Sequence, residues 1–297
     1  MTFKHYRVIR GHVLVVAATA IWSGNFIVAR FLADSTPPVI LVVLRSFIAA
    51  VFLFPFVIRP LWNCIPLIRK HLGYLALTAF LGLTMSNMLI YVAATFSPAL
   101  NMSLIAIFSP VFTIIFARIF LLEALTFRRA IGLSIAISGV VFLLSNGRIS
   151  NLKDLTFSIG DVWMLGQAAS FALYSILVRV RPAELHPQAF LFSLFVLGTL
   201  FLAPWFCWEL SGMTLGDFPP KTIWAILYLG IGPSLLAYWF WNESVGIIGP
   251  ARASLVYYLL PLFSGVEGLF LLGEPVTWVH IVSGIMILAG VIFATWE

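Results

Sequence analysis

The sequence predicts an all-α integral membrane protein in which ten transmembrane helices form two inverted five-helix repeats. Hydrophobic residues make up 62% of the 297 residues and charged residues only 9%, which leaves too little polar surface to cover a water-soluble globule. The apolar runs are long and continuous, whereas the strands of a membrane barrel would be short and alternating. A repeat at an offset of 151 residues divides the chain into two related halves.

The repeat is clearest where residues 97–142 lie over residues 248–293. The shared residues are not only interchangeable apolar ones. They include the pairs Pro110 and Pro261, Glu123 and Glu274, Thr126 and Thr277, and Gly139 and Gly290. Each copy predicts an apolar helix with a central proline, a run that ends on Glu, and a second apolar helix that carries Gly.

The ten predicted spans follow one another with short connections. The first ends at Leu32 and follows a basic tail without a small-residue cleavage site, so we expect an uncleaved span rather than a signal peptide. Runs of about 20 residues, the length that crosses a bilayer, then cover 39–58, 72–94, 98–120, 127–144, 160–180, 189–208, 222–241, 249–272 and 277–295. The central polar stretch predicts a first repeat at 1–145, a linker at 146–159 and a second repeat at 160–297.

The distribution of Lys and Arg predicts the orientation. With the N-terminus inside, eleven of these residues fall in inner segments and three in outer ones, so both termini should be cytoplasmic. An odd number of helices per repeat then makes the second repeat enter the membrane from the opposite face. This asymmetry accounts for the net charge of +6, and we expect the lipid bilayer, and no nucleic acid, as a partner.

Polar and aromatic side chains recur at helical spacing on several predicted spans. Inverted repeats meet at an axis in the membrane plane, and their substrate sites lie near the midplane at that interface. The offset carries Asn87 onto Tyr238 and Tyr91 onto Asn242, so an Asn/Tyr pair one turn apart occurs in both halves. We predict a substrate cavity lined by Trp22, Asn25, Asn87, Tyr91, Asn101, Trp163, Gln167, Tyr174, Tyr238, Asn242 and Tyr258.

A purely structural interpretation of these residues stays open. Polar residues in membrane helices often only bond neighbouring helices, at roughly 0.6 kcal/mol each, and Trp or Tyr near a helix end often marks the headgroup region. The headgroup position is preferred for Trp239 and Trp241. For Trp163, the headgroup region and the mouth of the cavity are equally favoured.

Two ionisable residues are predicted inside the membrane, where charge is costly. Arg45 and Glu267 lie at similar depths near the outer ends of the second and ninth spans, so we expect them to pair and neutralise each other. A structural role is favoured, with substrate or proton binding as the alternative. Glu123 precedes a helix start and is expected to accept hydrogen bonds from free backbone amides there.

Prolines and glycines in mid-span are candidate hinges for gating. Pro110 and Pro261 each remove a backbone hydrogen bond within a helix. Gly232 and Pro233, with Gly230, break the eighth span more severely. Small residues on the fifth and tenth spans permit close approach between repeats, or between protomers of a homodimer; they are Gly132, Gly139, Ser283, Gly284 and Gly290.

Other chemistry finds no support in the residue pattern. Cys64 and Cys207 stand alone on opposite predicted sides, and the five His residues show no ligand spacing, so we expect no disulfide, metal or cofactor. The sequence has no phosphate-binding loop and no Ser/His/Asp set. An enzyme is therefore a remote alternative, and an ATP-driven pump would need a partner chain. Nothing resembles a repeated selectivity filter, which disfavours a channel.

Three features together resemble a known family. They are the segment Trp22-Ser-Gly-Asn25-Phe26, Arg45 in the second span, and the doubled unit of Pro/Phe, Leu-Leu-Glu, Thr and Gly. Over nearly the whole chain they are similar to the EamA type of the drug/metabolite transporter superfamily, and within it to bacterial aromatic amino acid exporters of the YddG type. The resemblance implies a central cavity formed by the first, third, fourth, sixth, eighth and ninth helices. The second repeat departs from the pattern, because Ala172 and Tyr174 stand where the Trp motif would fall.

The resemblance and the polar stripes lead us to expect a secondary transporter that exports aromatic and other neutral amino acids by alternating access. It would reside in the bacterial inner membrane. Substrate rings would stack on Tyr91, Tyr238 and Trp163, while amide side chains would hydrogen-bond the amino and carboxylate groups. Sugar phosphates, nucleotide sugars and cationic drugs are alternative substrates, of which sugar phosphates would want clustered basic residues. Proton antiport and facilitated transport stay open as mechanisms of coupling.

Overall fold

Helices account for all regular secondary structure in the part of the chain that the computed structural model describes. That part comprises residues 3–33, 35–97, 102, 105–106, 108–124, 126–145, 147–148, 158–212, 220–272 and 277–295. Within these ranges the fold is all-α, as the sequence predicts.

We label the helices in chain order and keep one label for pieces that continue through a π or 3₁₀ turn. They are α1 (Phe3–Leu32), α2 (Pro38–Lys70), α3 (Leu72–Phe96), α4 (Phe108–Phe120), α5 (Phe127–Leu144), α6 (Ile159–Arg179), α7 (Pro187–Leu210), α8 (Pro220–Ile248), α9 (250–272) and α10 (Trp278–Thr295). Among the described residues, α1 to α3, α6 to α8 and α10 are long and apolar enough to cross a membrane, and α4 is a shorter apolar helix. The total of ten spans stays a prediction.

The helix starts follow local sequence. Pro38, Pro187 and Pro250 each stand in the first turn of a helix, where the missing N–H costs nothing. Thr126 caps α5 by accepting a hydrogen bond from the backbone N–H of Arg129 at 3.3 Å. Gly249 separates α8 from α9 with φ of +86°, a backbone conformation that favours glycine.

The second helix is longer than the sequence predicts. The predicted span ends at residue 58, whereas α2 continues to Lys70 with Pro55, Pro60 and Pro66 inside it. Prolines are tolerated in membrane helices because neighbouring groups satisfy the freed backbone carbonyls. Apolar residues also continue beyond residue 58, and Cys64 is buried in this extension.

Two helices contain a π turn at equivalent places. The turn covers Phe80–Met85 in α3 and Gly230–Leu236 in α8, and the offset of 151 residues superimposes these segments. The break in α8 is predicted by its glycines and proline, but the break in α3 is not. π turns inside α-helices are rare and frequently lie at functional sites.

The equivalent helices α5 and α10 pack closely and run antiparallel. Gly132 lies against Gly290 and Ala294, whereas Gly139 lies against Met286 and Ile287. A Cβ atom on Gly132 would be 2.6 Å from the carbonyl oxygen of Gly290, so both backbones need glycine to approach this far. The predicted close contact of small residues is therefore made between these two helices.

The first helix lies inside the bundle. Its buried residues Val15, Ala18, Trp22, Phe26 and Ala29 follow helical spacing along one side, and α1 packs against α3, α8 and α9. Large apolar side chains cover the outside of the protein, as lipid contact requires. On α2 they include Phe47, Phe52, Phe54, Phe56 and Trp62.

Candidate functional site

A small cavity of about 20 Å³, with room for a water molecule, lies beside the two π turns. Helices α1, α2 and α3 line one part of it, and α6, α8 and α9 line the rest. The lining residues of the described part of the chain are Trp22, Asn25, Phe26, Arg45, Ser86, Asn87, Ile90, Gln167, Phe171, Tyr238 and Tyr257.

Aromatic rings surround Trp22. Its ring centroid lies 5.3 Å from Phe171, 5.5 Å from Tyr238, 5.4 Å from Trp241 and 6.1 Å from Tyr257. Most of these contacts are edge-to-face, which is a favourable arrangement for aromatic pairs. Trp241 is only 1% exposed and donates to Ser175 Oγ at 3.2 Å. The preferred headgroup position for Trp241 is therefore wrong.

Each π turn receives a hydrogen bond from the other half of the chain. The hydroxyl of Tyr238 donates to the carbonyl of Gly82 at 2.7 Å, and the indole N–H of Trp22 donates to the carbonyl of Pro233 at 2.9 Å. Gly82 and Pro233 are equivalent under the offset. The widened turns thus present carbonyls to polar groups on neighbouring helices, which satisfy them within an apolar interior.

Asn87 and Tyr238, which the offset of 151 residues superimposes, are in contact. Asn87 Nδ2 donates to Tyr238 Oη at 3.1 Å and to the carbonyl of Leu83 at 2.8 Å. Two equivalent residues that touch must lie close to the axis that relates the repeats. The structure thus brings together two residues that the sequence predicted for the cavity.

Other predicted polar residues bond across the interface. Gln167 Nε2 donates to Ser86 Oγ at 3.2 Å. Tyr174 donates to Asn242 Oδ1 at 2.5 Å, and its ring meets that of Tyr238 edge-to-face with centroids 5.6 Å apart. Tyr174 and Asn242 therefore border the aromatic cluster without lining the cavity.

Arg45 extends into the site and is 1% exposed. Its Nε donates to Ser234 Oγ at 2.6 Å, and its Nη1 donates to Tyr91 Oη at 2.6 Å and to Asn25 Oδ1 at 3.2 Å. Its Nη2 is buried and has no hydrogen-bond partner among the described residues.

The expected ion pair between Arg45 and Glu267 is not formed, because the ion pairs among the described residues involve neither side chain. Glu267 Oε1 accepts a hydrogen bond from Ser23 Oγ at 2.6 Å, and Glu267 Oε2 has no hydrogen-bond partner in the described part of the chain. The two groups were predicted at similar depths, but each helix directs its side chain towards different neighbours, so they do not pair.

Besides Tyr174 and Asn242, three predicted residues of the described chain are absent from the cavity wall. Tyr91 is one of them, and its hydroxyl accepts a hydrogen bond from Arg45. Trp163 is 39% exposed at the surface, because it is one turn too near the start of α6. Tyr258 is buried, but the adjacent Tyr257 lines the cavity, since a 3₁₀ turn over Tyr257–Leu259 rotates the chain there. Asn101 lies outside the described residues. Glu274 is also outside them.

The lining residues that the sequence missed are mostly apolar. Phe171 follows Gln167 by one helical turn and could have been found from the same stripe. Phe26 and Ile90 carry no polar signal that distinguishes them from packing residues. The full missed set is Phe26, Ser86, Ile90, Phe171 and Tyr257.

The candidate hinges have different surroundings. Pro233 and Gly232 lie inside the π turn of α8, and Pro261 directly follows the 3₁₀ turn of α9. Pro110 is a buried residue of α4. Glu123 contributes to a different contact from the one expected, because Thr126 caps α5 while Glu123 Oε2 lies 4.0 Å from Arg129 Nη1.

The titratable groups do not form a metal site in the described ranges, where no three His, Cys, Asp or Glu side chains are grouped as ligands. Cys64 is buried in α2 and Cys207 is exposed on α7, and both are free thiols. The described cavity wall offers hydrogen-bonding groups, aromatic surfaces and the guanidinium group of Arg45.

Known proteins are similar to this chain over most of its length. The family model described as "EamA-like transporter family" matches it twice, at residues 9–145 and 158–296. An uncharacterized transporter of Archaeoglobus fulgidus is 27% identical over 287 residues, covering 96% of both chains. A probable terminal-alkyne amino-acid exporter of Streptantibioticus cattleyicolor is 25% identical over 222 residues, covering 75% of this chain and 72% of the relative.

A solved crystal structure has the same fold. It superimposes with a TM-score of 0.78, covers 96% of each chain and is 18% identical in sequence. At this identity the similarity concerns the fold alone.

Proposed function

We propose that this chain, which belongs to the EamA-like transporter family, is a secondary transporter that exports neutral and aromatic amino acids. Family membership makes it a multi-pass membrane transporter for small molecules, and it favours transport over enzymatic catalysis. The amino acid substrate, the direction of transport and the mechanism are the proposed parts.

The observation that carries the proposal is the composition of the cavity wall. Rings of Trp22, Phe171 and Tyr257 share it with the polar groups of Asn25 and Gln167. Ligand sites typically combine an apolar surface with a few polar groups that fix orientation. An amino acid with an apolar or aromatic side chain fits such a wall, because its side chain can contact the rings and its charged backbone groups can bond the polar side chains.

The size of the cavity favours alternating access over an open pore. Sites for small molecules usually enclose about 300–1,000 Å³, whereas this cavity measures about 20 Å³. Helices must separate before an amino acid can enter. Because the wall is divided between residues 9–145 and 158–296, the two family matches, a movement of one half against the other would open it.

The proposed architecture is two inverted repeats of five helices, residues 1–145 and 160–297, with both termini cytoplasmic in an inner membrane. The antiparallel contact of α5 with its equivalent α10 supports the inversion, and inverted repeats are a physical route to two exchangeable arrangements. In this proposal Gly232, Pro233 and Pro261 are hinges of the movement, and Asn87 with Tyr238 lies at the pivot.

Other substrates of the superfamily fit the site less well. A sugar phosphate or nucleotide sugar would want several basic groups, and Arg45 is the single cation among the lining residues of the described chain. A cationic drug would be repelled by the same guanidinium. The relative named a probable amino-acid exporter supports the amino acid alternative.

The test is a counterflow assay with the purified protein in proteoliposomes. Vesicles preloaded with neutral amino acids, sugar phosphates or cationic drugs are compared for accumulation of labelled external substrate. We expect exchange with aromatic and large neutral amino acids. Accumulation driven by a pH gradient would identify proton antiport, and unchanged accumulation would identify facilitated transport. Exchange confined to sugar phosphates or cations would overturn the proposed substrate.

The variant Asn87→Ala connects the assay to the cavity. It removes the donor to Tyr238, and we expect flux to fall about tenfold or more with the loss of a polar contact in the site. Asn63→Ala is the matched control, since Asn63 is exposed on α2. Equal flux in both variants would remove Asn87 from the site.

A further inference from the structure

We infer that Arg45 binds the carboxylate group of the substrate. The inference rests on the proposed function and makes it more specific, because it requires a free carboxylate in every good substrate. Three observations carry it: the unpaired charge of Arg45, its fixed orientation, and its position in the cavity wall.

The first observation is that the guanidinium of Arg45 has only neutral partners. Its hydrogen bonds go to Ser234, Tyr91 and Asn25, and the ion pairs within the described ranges involve other arginines. A buried cation without a neighbouring anion is costly. A bound carboxylate would supply the missing charge.

Glu267 on α9, which the sequence pairs with Arg45, has a different partner in the described part of the chain. Glu267 accepts a hydrogen bond from Ser23, two residues before Asn25 and therefore on the opposite side of α1. Within the described ranges, the other titratable groups near Arg45 are the phenols of Tyr91, Tyr228 and Tyr238. None of these carries a negative charge in its protonated form.

The second observation is that Arg45 is held in place from three helices. Asn25 is on α1, Tyr91 on α3 and Ser234 in the π turn of α8. These bonds occupy Nε and Nη1 and leave the buried Nη2 without a partner in the described residues. A guanidinium fixed in this way loses little conformational entropy when it binds a carboxylate, so less of the binding free energy is lost to ordering.

The third observation is that Arg45 and the aromatic rings line the same cavity. A carboxylate on Arg45 would place the rest of an amino acid among Trp22, Phe171 and Tyr257. Charge-assisted hydrogen bonds between arginine and carboxylates are among the strongest in proteins. The site thus selects molecules that carry both a carboxylate and an apolar group.

The experiment compares L-phenylalanine with L-phenylalaninamide, in which a neutral carboxamide replaces the carboxylate. Binding of each to the detergent-solubilised full chain is measured by calorimetry. For the unsubstituted protein we expect the amide to bind about ten- to a hundredfold more weakly, as the loss of a hydrogen bond to a charged group implies. In Arg45→Gln we expect this preference to disappear, and in Arg45→Lys to survive in part.

The matched control is Arg59→Gln, which makes the same change at an exposed position of the same helix. It should retain the preference for phenylalanine. If the unsubstituted protein binds both compounds equally, or if Arg45→Gln keeps the same preference as Arg59→Gln, the inference is overturned.

The two proposals fail in different measurements. If the counterflow assay shows no exchange of any amino acid, the proposed function is overturned, and this inference with it. Amino acid exchange together with equal binding of phenylalanine and its amide would overturn only the role of Arg45. Should Arg45→Gln not fold, the comparison of the two compounds on the unsubstituted protein and on Arg45→Lys decides.

Discussion

At the scale of single residues, Trp22 shows how one side chain holds the two halves of the chain together. Its ring contacts Phe171, Tyr238 and Trp241, all from the second half. Its N–H satisfies the Pro233 carbonyl within the π turn of α8. A buried carbonyl without a partner would cost about 1–3 kcal/mol, so this bond stabilises the irregular backbone as well as the interface.

We expect Trp22→Phe to lower stability by about 1–3 kcal/mol, since the hydrogen bond to Pro233 is lost while most of the ring remains. Trp163→Phe is the matched control, because Trp163 is 39% exposed and surface changes usually stay within about 0.5 kcal/mol. Thermal unfolding in one detergent measures both. Equal shifts of the midpoint would contradict the assigned role of Trp22.

The sequence predicted the residue types of the site better than their partners. Asn87 and Tyr238 were both predicted for the cavity from the offset, and their contact shows that they lie near the axis that relates the two halves. The partners of Arg45 and Glu267 could not be predicted, because sequence position gives the depth of a side chain in the membrane but not the neighbour that its helix face meets. Trp241 was assigned to the headgroup region for the same reason.

At the scale of helices, hydropathy predicted where long apolar helices form but not where the backbone is irregular. The break in α8 has a visible cause in Gly230, Gly232 and Pro233. The matching turn of α3, Phe80–Met85, contains one glycine and no proline. Tertiary hydrogen bonds to Leu81 and Gly82 from Ser170 and Tyr238 accompany the turn, and a sequence pattern does not display them.

The contact of α5 with α10 makes a prediction at the same scale. Gly290→Ala would place a Cβ atom 2.6 Å from backbone atoms of Gly132 and Ala136, so the two helices must move apart. We expect a loss of about 1–3 kcal/mol, as for other overpacked sites, measured as a lower midpoint of thermal unfolding.

Gly246→Ala is the control for this change, because an added Cβ there meets nothing within 4 Å. Alanine is the better helix former, so this variant should be neutral or slightly stabilised. Since neither α5 nor α10 contributes to the described cavity lining, the substrate preference of Gly290→Ala should match that of the unsubstituted protein. A stability equal to that of Gly246→Ala would mean that the two helices are not in close contact.

At the scale of the whole molecule, the direction of α5 relative to α10 bears on the topology. Equivalent helices of two repeats with the same orientation would run parallel to each other. Here residues 132 and 139 of α5 lie against residues 290 and 286 of α10, in reverse order. The geometry therefore agrees with the charge pattern of the sequence, which predicts that the second repeat enters from the opposite face.

Inversion requires equivalent connections to face opposite sides of the membrane. Ser35 follows α1 and Glu184 follows α6, the first helix of each half, and both are exposed. In a background with Cys64→Ser and Cys207→Ser, we expect an impermeant maleimide applied from outside to label Ser35→Cys at once. Glu184→Cys should react only after the membrane is permeabilised, because the inner segments carry the basic residues. Labelling of both from one side would mean that the two repeats share one orientation. Alternating access by the exchange of inverted halves would then be contradicted.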